Sequence, residues 1–241
     1  MRIGIVIAMD SEFAAIKAIL SSPVSHKLGN RVFLEGAYGA HQLIVCVGGM
    51  GKANASATVA LMLVHFGCEL IISTGCAGGI SSDLRVGDIV VGADYCYHDV
   101  WCAIDGDDRM GVMQGTPRKL TWQNEIAALF DSARWLPGYH QGHFYTGDQF
   151  IQTQEAVNKI YAAYPEEHHD GLSGICDMES MALAQICHQF AIPFVGFRVV
   201  SDTPCAHADA AEEMAQYKNF WQSMSDVSYR FLKSFIDSYK G

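Results

Sequence analysis

The sequence predicts a single layered α/β domain over residues 1–241, on three observations. Short apolar runs of strand length alternate with segments of helical periodicity along the whole chain. No Pro- or Ser-rich linker, internal repeat or low-complexity tract interrupts that alternation. The 241 residues, 50% of them hydrophobic, are enough to bury one sizeable core.

The elements follow in order. Ile3 to Ala8 is a continuous apolar run, the pattern of a strand buried on both faces. Asp10 and Ser11 supply capping oxygens, and Glu12 to Leu20 has helical periodicity. Val32–Leu34 and Gln42–Val47 read as a strand pair around a tight turn at residues 38–41. After Gly48-Gly49-Met50-Gly51, Ala53 to Phe66 is an alanine-rich helix. Leu70–Ser73 is a buried strand that runs into the glycine-rich turn Thr74 to Gly79. Beyond it, residues 88–97 and 143–145 read as strands, with helices at 123–134 and 153–164. Strands at 171–178 and 194–200 flank a helix at 179–190. From about Ala208 a long helix carries Phe220, Met224, Val227, Phe231 and Phe235 on one stripe.

Composition narrows the function. A net charge of −10 with 16 Lys+Arg argues against nucleic acid or an anionic membrane surface as the main partner, and it admits small neutral or cationic ligands. No apolar run is long enough for a membrane helix. The eight cysteines are scattered, with Cys46, Cys68 and Cys187 inside apolar runs, so the sequence reads as a reduced, cytoplasmic protein.

In layered α/β folds ligands gather at the carboxyl ends of strands, which directs attention to four places. Glu12 follows the first strand, where a carboxylate also suits the first turn of a helix. The Thr74–Gly79 turn brings backbone N–H groups near a ligand, but it is neither a Walker motif nor a dinucleotide fingerprint. Asp177-Met178-Glu179 puts two carboxylates at a strand–helix junction, suited to vicinal hydroxyls or a metal, or to capping, with Asp177 as N-cap and Glu179 in the first turn. Ser201-Asp202 closes a fully apolar strand. The group Cys96, His98, Asp99 and Cys102 fits no common zinc spacing, so no metal and no cofactor are expected. His140, His143 and the pair His168-His169 read as surface or capping residues, and no nucleophile elbow is present.

Together these segments resemble the purine nucleoside phosphorylase/nucleosidase superfamily, and within it the bacterial 5′-methylthioadenosine/S-adenosylhomocysteine nucleosidases. The resemblance runs from residue 2 to 202 and is carried by eight blocks in family order. They are residues 3–12, 49–52, 73–79, 86–91, 97–99, 146–151, 177–179 and 197–202. It implies a three-layer α/β/α sandwich around a mixed, partly closed β-sheet, a homodimer, and hydrolysis of an adenine–ribose N-glycosidic bond in a small-molecule nucleoside.

It also implies roles. Asp202 matches the acid that protonates the purine, and Glu12 matches the base that activates water, the inverting arrangement of glycoside hydrolysis. Glu179 matches the carboxylate on the ribose hydroxyls, and Met178 the side chain against the sugar, with Asp177 beside them. Phe150 matches the aromatic stacked on adenine, and the Ile151 backbone would read its edge. Met50 matches an apolar contact for the 5′ group, while Arg198 and Ser201 support the water and the acid. Ala8, Cys76, Ala77 and Gly78 complete the binding set.

Three alternatives stay open. A phosphorylase needs cationic groups for a phosphate dianion, and the matching positions here are Ser73 and Cys76. Futalosine or aminofutalosine hydrolysis is raised by departures near the sugar. Asp177 stands where Glu is usual, the stretch after Asp99 is short, and residues 208–214 stand where a phenylalanine lid is expected. A non-catalytic nucleoside-binding relative would have lost the acid or the base, and both are present.

Overall fold

A computed structural model describes residues 1–7, 10–102, 106–122, 137–166, 170–204, 220 and 225–239. In its order of elements, β1 (Arg2–Ile7) leads to α1 (Asp10–Lys17), followed by β2 (Ser21–Leu28), β3 (Arg31–Tyr38) and β4 (His41–Val47). Then come α2 (Lys52–Phe66), β5 (Leu70–Thr74), β6 (Cys76–Gly79), β7 (Ile89–Tyr97), β8 (Lys119–Thr121) and β9 (Tyr139–Thr146). The chain continues through α3 (Gln154–Ala163), β10 (Ser173–Asp177), α4 (Ser180–Gln189), β11 (Phe194–Asp202) and α5 (Ser225–Ser238).

The sheet order is β2-β3-β4-β1-β5-β11-β6-β10-β9-β7-β8, with β11 also paired to β7. That extra pairing closes β11, β6, β10, β9 and β7 on themselves, while β2 to β5 remain an open wing. The sheet is mixed, with β1 parallel to both β4 and β5, and β6 antiparallel to β10. The mixed, partly closed sheet implied by the resemblance is therefore present.

Strand alternation sorts the wing's side chains into two layers. Ile3, Ile5 and Ile7 pack with Leu43, Val45 and Ile72 against Phe231, Leu232, Phe235 and Ile236 of α5. Val6, Ile44, Cys46 and Ile71 face the other way, against Val59 and Met62 of α2 and Met181 and Leu183 of α4. Each such side chain gains about 1.5–3 kcal/mol from burial. The thiols of Cys46 and Cys68 behave as apolar groups, pushed by burial to about 11 and about 12 respectively.

Several expectations need correction. Residues 74–79 are not a turn: β5 runs through Thr74, and Cys76–Gly79 form a strand between β11 and β10. Small residues suit that place because neighbouring strands crowd it; a Cβ on Gly79 would come within 2.9 Å of Val200. β2 is a further edge strand, with Pro23 at its irregular register. His143 is buried rather than superficial, its ring bonded to Asp94 on one side and Asp170 on the other. The helix expected at 123–134, His168-His169 and most of the segment from 208 to 224 lie outside the described residues. On the C-terminal stripe, Phe220, Phe231 and Phe235 are buried as expected.

Candidate active site

The carboxyl ends of β10 and β11 meet across β6. Cys176 pairs with Gly78, and Gly78 pairs in turn with Asp202. Strands that run in opposite senses thus deliver Asp177, Glu179 and Asp202 to one pocket. Its described lining also includes Met50, Gly75, Cys76, Ala77, Gly78, Gln149, Phe150, Ile151, Cys176, Met178, Arg198 and Ser201. It encloses about 620 Å³ of space counting its open mouth.

β11 extends two residues further than the apolar run suggests, because Asp202 still pairs with Gly78 of β6 past an irregularity at Ser201. Asp202 is 1% exposed, and its Oδ1 accepts a hydrogen bond from Ser201 Oγ. Ser201 Oγ also lies 3.2 Å from the Ala77 carbonyl. A Cβ on Gly78 would lie 3.0 Å from Asp202 Oδ2, so a larger residue opposite would crowd the carboxylate.

Asp177 and Glu179 have different surroundings. Asp177 Oδ1 accepts from Thr146 Oγ1 at 2.6 Å, and Oδ2 lies 2.8 Å from Arg198 Nη2. Its oxygens also receive the Ser180 N–H at 3.2 and 3.3 Å, so Asp177 caps α4 while forming part of the pocket wall. Glu179 is not in the first turn as expected: it occupies the N-cap position of α4, and its side chain makes no cap bond there.

Glu179 reaches instead to the start of α2. Its Oε1 accepts the Gly51 N–H at 2.9 Å, and Asp148 Oδ1 accepts the adjacent Lys52 N–H at 2.8 Å. Two carboxylates from other parts of the chain therefore satisfy the open N-terminus of α2. Gly51 has φ of +91°, and a Cβ there would sit 2.9 Å from Asp148 Oδ1, so the turn requires glycine. Lys52 Nζ holds Asp99 at 2.7 Å, and Asp99 Oδ2 accepts the Asp148 N–H, which ties these loops together.

Burial, together with repulsion from Asp177, raises the Glu179 carboxyl to about 7; Arg198 Nη2, 4.0 Å from Oε2, works against that shift. Arg198 is itself 1% exposed and bonds Ser180 Oγ at 2.9 Å. Met50 and Phe150 stand at the mouth, 58% and 38% exposed. Met178, Cys76 and Ile151 line the interior wall.

The structure thus brings together twelve of the fourteen residues the sequence singled out. Ala8 lies outside the described residues, and Glu12 falls in the first turn of α1 with its side chain likewise outside the description. Sequence reasoning missed Gly75, Gln149 and Cys176. Gln149 was within reach, inside the block 146–151. Cys176 was not, because an apolar strand does not reveal which face meets a pocket.

Comparisons with known proteins place the chain in a family. The phosphorylase superfamily profile matches residues 2–237. A 5′-methylthioadenosine/S-adenosylhomocysteine nucleosidase of Aeromonas salmonicida is 32% identical over 205 residues, 84% of this chain and 86% of that one. The S-adenosylhomocysteine nucleosidase of Streptococcus pyogenes, solved with 5-methylthiotubericidin, superposes with a TM-score of 0.88 at 29% identity, covering 100% of this chain and 98% of that one. Futalosine hydrolase of Helicobacter pylori has a TM-score of 0.87 at 24% identity, covering 99% of this chain and 98% of that one, a likeness of fold. The chain belongs to the phosphorylase superfamily and, within it, to the 5′-methylthioadenosine/S-adenosylhomocysteine nucleosidase family.

Proposed function

We propose that this chain, acting as a single catalytic domain, hydrolyses the adenine–ribose N-glycosidic bond of 5′-methylthioadenosine and S-adenosylhomocysteine. The products are adenine and the 5′-thioribose. The carrying observation is the pairing of Ser201 with a fully buried Asp202 at the pocket wall. Ser201 Oγ has one proton and faces two acceptors, the Ala77 carbonyl and Asp202 Oδ1. Ser201 Oγ donates to Asp202 Oδ1 and holds the carboxyl at the pocket wall, where a general acid would protonate the departing purine.

In the proposed reaction, the C1′–N9 bond breaks as Asp202 gives its proton to N7 of adenine. A water activated by Glu12 adds its oxygen to C1′ from the opposite face, and its proton goes to the Glu12 carboxylate. Glu179, held by the Gly51 N–H, accepts hydrogen bonds from the ribose hydroxyls. Met178 lies against the sugar, Phe150 stacks on the base, and the Ile151 backbone reads its edge. Asp177 acts through Arg198, holding the guanidinium 4.0 Å from Glu179.

Water is favoured over phosphate as the attacking group. Arg198 is the one cation among the described residues lining the pocket, and Asp177 and Glu179 already engage it. A phosphate dianion would find carboxylates and no available cation there. We further propose a cytoplasmic homodimer. None of the seven described cysteines is in a disulfide, and Trp101, two residues past Asp99, is 74% exposed, as an apolar residue that packs on a partner would be. No helix among the described residues is long and apolar enough to cross a membrane.

The test is adenine release in phosphate-free buffer from 5′-methylthioadenosine, S-adenosylhomocysteine, aminofutalosine and adenosine. Rapid release from the two thio-nucleosides is expected. Cleavage of aminofutalosine alone would replace the substrate, and silence on all four would refute the activity. Asp202→Asn and Glu12→Gln should each lower kcat by roughly a hundredfold or more with the circular dichroism spectrum unchanged.

A further inference from the structure

A second cleft shares the Gly48–Met50 turn with the candidate active site. Gly48 and Gly49 line this cleft, and the next residue, Met50, lines the pocket. Lys17 from the end of α1, Asn30 from the β2–β3 turn, Arg31 at the start of β3 and Asn54 from α2 form its polar wall. It encloses about 1310 Å³ counting its open mouth.

Its charge is opposite to that of the whole chain. The protein carries 26 Asp+Glu against 16 Lys+Arg, yet the charged residues among the described lining are Lys17 and Arg31, both cationic. Among the described residues Arg31 bonds neutral groups, the Gly48 carbonyl and, at 3.0 Å, Asn54 Oδ1. Lys17 forms no ion pair there. Asn54 Nδ2 donates in turn to the Met50 carbonyl at 2.8 Å. Arg31 is therefore two hydrogen bonds from the residue at the mouth of the pocket.

The geometry points to a carboxylate subsite: Lys17 and Arg31 receive the acid group at the end of the substrate's 5′ substituent. This rests on the proposed function. 5′-Methylthioadenosine and S-adenosylhomocysteine differ in what their sulfur carries, a methyl group or an amino-acid chain ending in a carboxylate. With adenine and ribose held at Phe150 and Glu179, a chain leaving C5′ past Met50 meets Asn54 and then Arg31. A guanidinium matches a carboxylate in shape and charge, and Lys17 adds a second cation. Because Lys17 is exposed and Arg31 half-buried, the gain is moderated by solvent.

Steady-state kinetics on both nucleosides test the assignment. Lys17→Met combined with Arg31→Met should lower the ratio of kcat/KM for S-adenosylhomocysteine to that for 5′-methylthioadenosine roughly tenfold, mainly through KM. Lys17→Met alone, which removes no hydrogen bond among the described residues, should give part of that loss. Added sodium chloride should weaken the wild-type reaction with S-adenosylhomocysteine selectively. The methyl ester of S-adenosylhomocysteine should be insensitive to the substitutions. An unchanged ratio, or an ester that behaves like the parent acid, would overturn the subsite. If the wild type released adenine from neither nucleoside, the proposed activity would fail, and calorimetric affinities would still decide the subsite. Lys17→Met must then weaken S-adenosylhomocysteine and not 5′-methylthioadenosine, and equal affinities would refute it.

Discussion

In the open wing, β1, β4 and β5 bury Ile3, Ile5, Ile7, Leu43, Val45 and Ile72 between two helical layers. In the closed half, β7, β9, β10 and β11 bury Asp94, His143, Thr146, Asp177, Arg198, Ser201 and Asp202. The wing is held by apolar area, which tolerates small changes in shape. The closed half holds ionisable groups that stay buried because each has a partner, as Asp94 has His143 and Asp177 has Arg198. The pocket opens at the end of that half, where the groups able to move protons are already desolvated and positioned.

The sharpest way to break this comparison is Arg198→Met. It leaves Asp177 and Glu179 buried without their cation, and a loss of about 3–5 kcal/mol is expected in urea unfolding. A loss no larger than that of a wing methyl deletion would mean that the closed half is also held by apolar area alone.

A smaller effect should follow pH through Glu179. Its carboxyl is raised to about 7 in the fold, above the ordinary 4.5, so the folded state binds the proton more tightly than the unfolded chain. The stability linked to this proton is full below 4.5 and is lost as pH rises through about 7. The slope reaches at most about 1.4 kcal/mol per pH unit for one proton. Glu179→Gln should flatten this part of the curve, measured by urea denaturation from pH 4.5 to 8. An unchanged slope would assign it to another group.

The smallest effect belongs to the wing. Ile72→Val should cost about 0.5–1.5 kcal/mol with kcat unaltered, because it trims one methyl far from the pocket. A lowered kcat would show that the two halves are coupled.

How far the fold could be read depended on the same difference. The apolar runs of β1, β4, β5 and β11 and the helices α2, α3 and α4 were visible as hydrophobic patterns. β2 was not, because Ser21–Leu28 is an edge strand with exposed or half-exposed side chains and no apolar alternation. Cys76–Gly79 looked like a turn because glycines usually break strands, whereas here close neighbours demand them. His143 looked superficial because the aspartates that bury it, Asp94 and Asp170, are distant in sequence.

At the site, the residue types were legible and their division of labour was not. Asp177 and Glu179 are two positions apart, and the residues alone offered them as capping groups or as a ligand pair, with Glu179 matched to the ribose hydroxyls only by the resemblance. Folding committed Asp177 to Thr146, Arg198 and the start of α4, and turned Glu179 toward the start of α2.

The sequence by itself determined the layered α/β class, the apolar strands of the wing and the family to which the chain belongs. Those are properties of local pattern, set by side-chain periodicity and residue type. Tertiary structure alone decided that β11 pairs with β7 and closes half of the sheet, that β10 and β11 meet across β6, and which carboxylate stays available to a ligand. Those outcomes depend on which distant groups satisfy a buried charge, and local pattern does not contain that information.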